Sequence, residues 1–158
     1  MAERIPMTPE GFAKLQHELH QLKTVEKHKN IRDIEEARAH GDLSENAEYQ
    51  YAKERQGQIA AQIKHLEDQV ARAEVIDPRT VKSDRIVFGA TVTLLDIQDE
   101  KEVVFSIVGP PEADPKNNRI SILSPMAKAM IGKRVEDEVE VPTAQGERFY
   151  EVVRIQFI

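Results

Sequence analysis

A chain of 158 residues with 40% hydrophobic and 32% charged side chains can bury one ordinary core or two small ones and still present a large wet surface. It contains no cysteine, which excludes disulfides, thiolate metal sites and cysteine nucleophiles and suits a reducing cytoplasm. The net charge of −6 is shared by both halves, with 11 Lys/Arg against 15 Asp/Glu in residues 1–77 and 11 against 13 in 78–158; bulk electrostatic binding of nucleic acid is excluded, and any such contact must be local.

Residues 1–12 lack a basic segment followed by an apolar one, so no signal peptide is expected. No apolar run approaches the roughly 20 residues of a membrane span, and no membrane contact is expected. Thr8-Pro9-Glu10 reads as a helix start: threonine caps, proline suits the first helical position, and glutamate favours the positive end of the dipole. Phe12, Leu15, Leu19 and Leu22 follow at helical spacing, and Ile31, Ile34 and Ala37 resume it. Between them, Glu26-Lys27-His28-Lys29-Asn30 supplies no apolar residue to the seam. Gly41 is the natural stop.

A second helix follows the tip, with Ala52, Ile59, Ile63, Leu66, Val70 and Ala73 on one face and Gln56 a polar member of the stripe. The mostly three-four spacing is that of a coiled coil, and the short connection implies an antiparallel hairpin. Helices of roughly 30 residues make an arm about 45 Å long. The helical pattern ends at Ile76-Asp77-Pro78. Strand-like runs then appear at 90–95, 102–108 and 119–123. A short helix is expected over Met126 to Ile131, and 138–141 with 148–157 reads as a hairpin. The expected class is α+β: a coiled-coil hairpin over 1–77 with its tip at 41–48, then a small, mostly antiparallel β domain over 78–158.

The tip, Gly41-Asp42-Leu43-Ser44-Glu45-Asn46-Ala47-Glu48-Tyr49, crowds three acids that repel one another. One reading is a cap: Asp42 at the N-cap with Glu45 at N3 fits a capping box, Ser44 competes as N-cap, and acids favour a helix N-terminus. The other is metal handling. Two carboxylates three residues apart can converge on a hard cation such as Mg²⁺, but are too few to hold it tightly, so they suit a site completed by a partner. His17, His20, His28, His40 and His65 do not make the HExxH spacing, and no phosphate-cradling glycine loop occurs. Met126 and Met130 are packing residues of an amphipathic helix. Arg38, Lys53 and Arg55 flank the tip and could meet a phosphate backbone or form a solvated face.

At this tip the chain resembles the bacterial Gre transcript-cleavage factor family. The opening IPMTPEGFAKL, then VIDP with VFGATVTLLD, then IVGPPEADPKNNRISILSPMAKAMIGK match other family segments in the right order. The resemblance implies a factor that binds RNA polymerase through its secondary channel and stimulates the polymerase's own cleavage of backtracked RNA, without being an enzyme itself. It puts the essential acids at Asp42 and Glu45, sharing a Mg²⁺ with the polymerase active site and orienting the attacking water; no tightly bound cofactor is implied. Gly41, Ser44, Asn46, Glu48 and Tyr49 would support the tip. Arg38, Lys53 and Arg55 would contact the nascent RNA 3′ segment, with Lys53 standing where the family often has arginine. The second domain would share the FK506-binding fold and dock on polymerase through Ser121, Ser124 and Pro125. Glu136 stands where a glycine is frequent. A cytoplasmic monomer is implied.

Two rival functions stay open. An inhibitor of the same architecture would carry an altered acidic tip, against which the intact GDLSENAEY argues. A stand-alone prolyl isomerase or chaperone would need an aromatic-lined pocket, of which five Phe and three Tyr give little sign.

Overall fold

The computed structural model describes residues 3–41 and 46–158. Contacts divide the chain into a helical unit, 12–72, and a second unit made of 1–11 and 73–158. By contacts the breaks between the units lie near 11/12 and 72/73, the latter a few residues before the 77/78 junction that Pro78 suggests. The reason is a strand pair invisible to periodicity: β1 (Ile5–Met7) runs parallel to β2 (Ala73–Val75), and Ile76 N–H donates to the Met7 carbonyl at 2.8 Å. Met7 is fully buried.

The helical unit is built from α1 (Pro9–Gln21), a π-helical segment (Leu22–Glu26), α2 (Lys27–Ala39) and α3 (Ala47–Arg72). The π segment accounts for the weak seam. Lys27 N–H donates to the Leu22 carbonyl, one residue further back than in an α-helix, so the segment takes in one extra residue. Buried positions step from Leu15 to Leu22, then to Asn30, then to Ala37: spacings of seven, eight and seven. On α3 the buried Ala52, Ile59 and Leu66 keep a spacing of seven throughout. The offset turns Asn30 inward, 4% exposed, and leaves Ile31 at 40%, contrary to the expected stripe. Asn30 remains satisfied because its Nδ2 donates to the Ala52 carbonyl at 2.9 Å. Gln56 is exposed, so it is no seam member either.

The second unit carries a five-stranded sheet of order β5-β4-β3-β7-β6, with β3 (Thr91–Asp96), β4 (Lys101–Val108), β5 (Arg119–Ser121), β6 (Glu138–Thr143) and β7 (Gly146–Gln156). All neighbours are antiparallel except β4 and β5. A register shift at Thr93/Leu94 against β7 bends the centre. Helix α4 (Pro125–Met130) closes the core: Ala127 and Met130 are fully buried with Ile86, Val92, Leu94, Ile107 and Val139. Met126 packs against the same cluster, so both methionines serve packing, as the sequence suggests.

Two carboxylates organise this unit. Asp96 ends β3, where Arg148 meets it at 2.5 Å and Gln98 and Asp99 donate their N–H groups. The Arg148 guanidinium, ahead of the backbone donors, holds the Asp96 carboxyl below its usual range. Glu112 is the deeper one, with its side chain 3% exposed. It accepts from the Thr8 hydroxyl, from Thr8 N–H at 3.1 Å and from Gly109 N–H at 2.8 Å, with Arg119 at 3.8 Å. The same Thr8 hydroxyl caps α1 by accepting from Gly11 N–H at 3.1 Å, so the expected Thr8 cap is present and is itself held by Glu112.

Glu136, where a glycine is frequent, sits at φ 78° in a turn closed by Asp137 N–H to the Arg134 carbonyl at 3.0 Å. A left-handed φ at this turn position is where glycine is favoured. A side chain there costs roughly 1–2 kcal/mol, partly offset by the greater freedom glycine loses on folding. Glu136→Gly is therefore expected to stabilise the protein by about 0.5–1 kcal/mol, a rise in melting temperature of about 1–4 °C by calorimetry. A lower melting point would show that the Glu136 side chain contributes more than its backbone strain costs.

Candidate functional site

The tip is framed by the last turn of α2 and the first of α3. His40 N–H donates to the Ala37 carbonyl at 3.2 Å and Gly41 N–H to the Arg38 carbonyl at 3.4 Å. Gly41 takes φ +107°, a conformation that suits glycine and stops the helix. On the other side Asn46 opens α3. Its Oδ1 accepts from Tyr49 N–H at 3.0 Å and its carbonyl accepts from Gln50 N–H at 3.1 Å, which together define an N-cap. Its Nδ2 donates across the tip to the Ala37 carbonyl at 2.7 Å. Asn46 therefore holds the cap position of α3, which the capping reading gives to Asp42 or Ser44. The cue was present in the sequence, since asparagine is a preferred cap, but the capping-box spacing of Asp42 and Glu45 competed with it.

Asp42, Ser44 and Glu45 lie outside the described residues. Asp42 directly follows Gly41 and Glu45 directly precedes Asn46. Glu48 pairs with His40 Nδ1 at 3.3 Å, both side chains well exposed, so the pair adds little to stability. Tyr49 is half-buried. Among the described residues no group of three or more His, Asp or Glu converges on a point that could hold a metal ion. Oxygen donors from two carboxylates suit a hard cation in kind. In number they fall short of the octahedral shell Mg²⁺ demands. The donor set fits a share of a site, not a resident one.

The three flanking cations differ in setting. Arg38 is exposed at the end of α2. Lys53 is exposed and donates to Gln56 Oε1 at 2.9 Å along its own helix. Arg55 is half-buried and reaches Glu26 at 3.8 Å on the opposite helix, away from the tip. The structure therefore does not gather the three into one cluster around Gly41 and Asn46.

In the second unit Ser121, Ser124 and Pro125 do come together. Ser124 caps α4 by accepting from Ala127 N–H at 3.1 Å, with Pro125 at the first helical position. Ser121 accepts from Leu123 N–H at 3.1 Å, and Ser124 N–H donates to the Ser121 carbonyl at 2.9 Å. This tight turn holds Leu123 outward, 62% exposed. The strand expected over 119–123 ends at Ser121, so Leu123 falls in the serine-rich turn that follows it.

The chain matches two family descriptions: "Transcription elongation factor, N-terminal" over residues 5–75 and "Transcription elongation factor, GreA/GreB, C-term" over residues 81–157. It is 56% identical over 156 residues to the transcription elongation factor GreA of Novosphingobium aromaticivorans, covering 99% of this chain and 98% of that protein. With the transcription elongation factor GreA of Syntrophotalea carbinolica it shares 52% identity over the whole of both chains. Among solved structures, GreA factor homolog 1 of Thermus thermophilus is 26% identical, with 98% of this chain and 99% of that one aligned at a TM-score of 0.45.

Proposed function

This chain belongs to the GreA/GreB family of transcription elongation factors, and from that premise we propose that it acts on RNA polymerase through the secondary channel and stimulates cleavage of backtracked nascent RNA. The observation that carries the proposal is full-length identity above half to proteins named GreA, together with the intact GDLSENAEY tip. In this reading the hydrolytic machinery is the polymerase's, and the chain is an accessory that acts as a monomer in the cytoplasm. No helix among the described residues is long and apolar enough to cross a membrane.

The helical hairpin carries Asp42 and Glu45 to the polymerase active site. A Mg²⁺ bound there would supply charge stabilisation and an activated water at the phosphodiester. Asp42 and Glu45 would contribute carboxylate oxygens to that shared ion and orient the attacking water. Gly41 and Asn46 fix where the acidic segment leaves and rejoins the helices. The turn of Ser121, Ser124 and Pro125 docks on the polymerase rim, with the outward Leu123 adding apolar contact area beside it. The test is direct: added to a backtracked elongation complex, the protein should shorten the RNA from its 3′ end, and the same RNA without polymerase should stay intact. An unshortened transcript with the protein bound would give the inhibitor reading instead.

Arg38 and Lys53, exposed beside the tip, are assigned to the RNA 3′ segment, with Arg55 the weaker member because Glu26 already engages it. Replacing all three by Gln is expected to reduce crosslinking to extruded RNA several-fold, roughly one phosphate contact being lost per cation. Polymerase binding should hold. Unchanged crosslinking would return these residues to a solvated face.

A further inference from the structure

We infer that Asn46 is a positioning residue for stimulated cleavage, tying the start of α3 to the end of α2 through two hydrogen bonds made by one amide. The inference deepens the reading above and rests on it. The four residues 42–45 run between Gly41 and Asn46, and both ends are tied to the same turn of α2. Gly41 N–H reaches the Arg38 carbonyl at 3.4 Å, and Asn46 Nδ2 reaches the neighbouring Ala37 carbonyl at 2.7 Å. Asp42 stands next to one tie and Glu45 next to the other. The separation of the two anchor points is thus set by consecutive carbonyls on one rigid helix end. Ala37 is 1% exposed, so its carbonyl sits at a packed point of the seam.

The amide orientation is unambiguous. Tyr49 N–H can only donate and the Ala37 carbonyl can only accept, so a flipped amide would lose both bonds. Capping α3 requires only an acceptor, and Ser, Thr or Asp would cap as well. The bond to Ala37 requires a donor on the same short side chain, which Asp lacks altogether. Serine's single oxygen cannot serve Tyr49 and still span to α2. Asparagine therefore does here what no other common cap can do. The second cross-tip contact, His40 with Glu48, is exposed and cannot substitute for it.

The test uses the full chain with Asn46→Ser and Asn46→Asp, which keep the cap and remove the tie, the first without adding charge. With backtracked polymerase, the factor concentration giving half-maximal stimulation should stay near that of the parent. The maximal cleavage rate should fall about tenfold or more in both variants, since ångström-scale misplacement of reacting groups costs up to about 10²-fold. A residue that only capped the helix would leave both quantities unchanged. A second readout needs no polymerase. The chain has no native cysteine, so spin labels at Ala39→Cys and Ala47→Cys report the distance across the tip cleanly. That distribution should be narrow in the parent and broaden in both variants while the melting temperature holds. Full maximal cleavage by either variant, or a distribution as narrow as the parent's in both, overturns the inference. Should the parent itself fail to stimulate cleavage, the proposed function falls, and the label distances still decide whether Asn46 fixes the tip.

Discussion

Asp42→Asn combined with Glu45→Gln is expected to leave the protein folded and bound to RNA polymerase while stimulated cleavage falls by roughly 10²-fold or more, the scale on which removing a single group that stabilises transition-state charge acts. The expectation is sharp because the structure has separated two roles that the sequence left entangled. Helix α3 is capped by Asn46, so the acids are not needed to start it. Removing their charges forfeits at most the dipole contribution, about 0.3–1 kcal/mol each. Both replacements keep hydrogen-bonding oxygens of nearly the same shape. Loss of cleavage then reports loss of carboxylate charge at the shared ion, and raising Mg²⁺ should restore part of the activity by mass action. Near-normal cleavage by the double variant at limiting Mg²⁺ would sink the metal role of the tip.

Gly109→Ala is expected to be strongly destabilising. A Cβ built on Gly109 would lie 2.0 Å from the Pro6 carbonyl oxygen, which is backbone and cannot swing away. Strand β1 would have to leave its pairing with β2, and the Gly109 N–H to Glu112 bond would be disturbed with it. Overpacking of this kind costs about 1–3 kcal/mol, a fall in melting temperature of about 2–12 °C for a chain of this length. Gly57 is the matched control. It lies within α3 with nothing inside 4 Å of its Cβ position. Gly57→Ala should therefore raise stability by about 0.5–1 kcal/mol, alanine losing less conformational freedom than glycine in a helix. Equal melting points for the two variants would show that Pro6 is not held where the structure puts it.

Much of the architecture can be read from periodicity alone. Seven-residue spacing gave the hairpin, alternation of β-branched residues gave the main strands of the sheet, and the short helix expected over Met126 to Ile131 is α4, one residue offset. These features are local: each is dictated by residues within a few turns of one another. The interruption at Glu26 to Asn30 was also visible, but not its meaning. An extra residue in a π segment only makes sense once a partner helix shows which face is inward, and Asn30 earns its buried place through the Ala52 carbonyl 22 positions away.

The tip divides in the same way. Its acids, its glycine stop and its flanking cations stand in the sequence as chemistry, and the family match rests on that string together with the others. Which residue caps α3 was undecided, because Asp42, Ser44 and Asn46 are all competent caps and local propensity barely separates them. The described structure gives the role to Asn46, whose Oδ1 accepts from Tyr49 N–H while its Nδ2 donates to the Ala37 carbonyl.

What the sequence by itself determined is therefore the hairpin, the strand-rich second half and the identity of the acidic tip, all encoded over short distances. What only the tertiary structure decided are the contacts between distant segments. They include β1 on β2, Glu112 gripping Thr8 from 104 residues away, the order of the sheet with its single parallel pair, and Asn46 bound to Ala37. The physical reason is that these are polar and backbone groups whose partners are chosen by burial. A carboxylate or amide carries no periodic signal, and its role is fixed only when folding removes water and leaves one set of donors within reach.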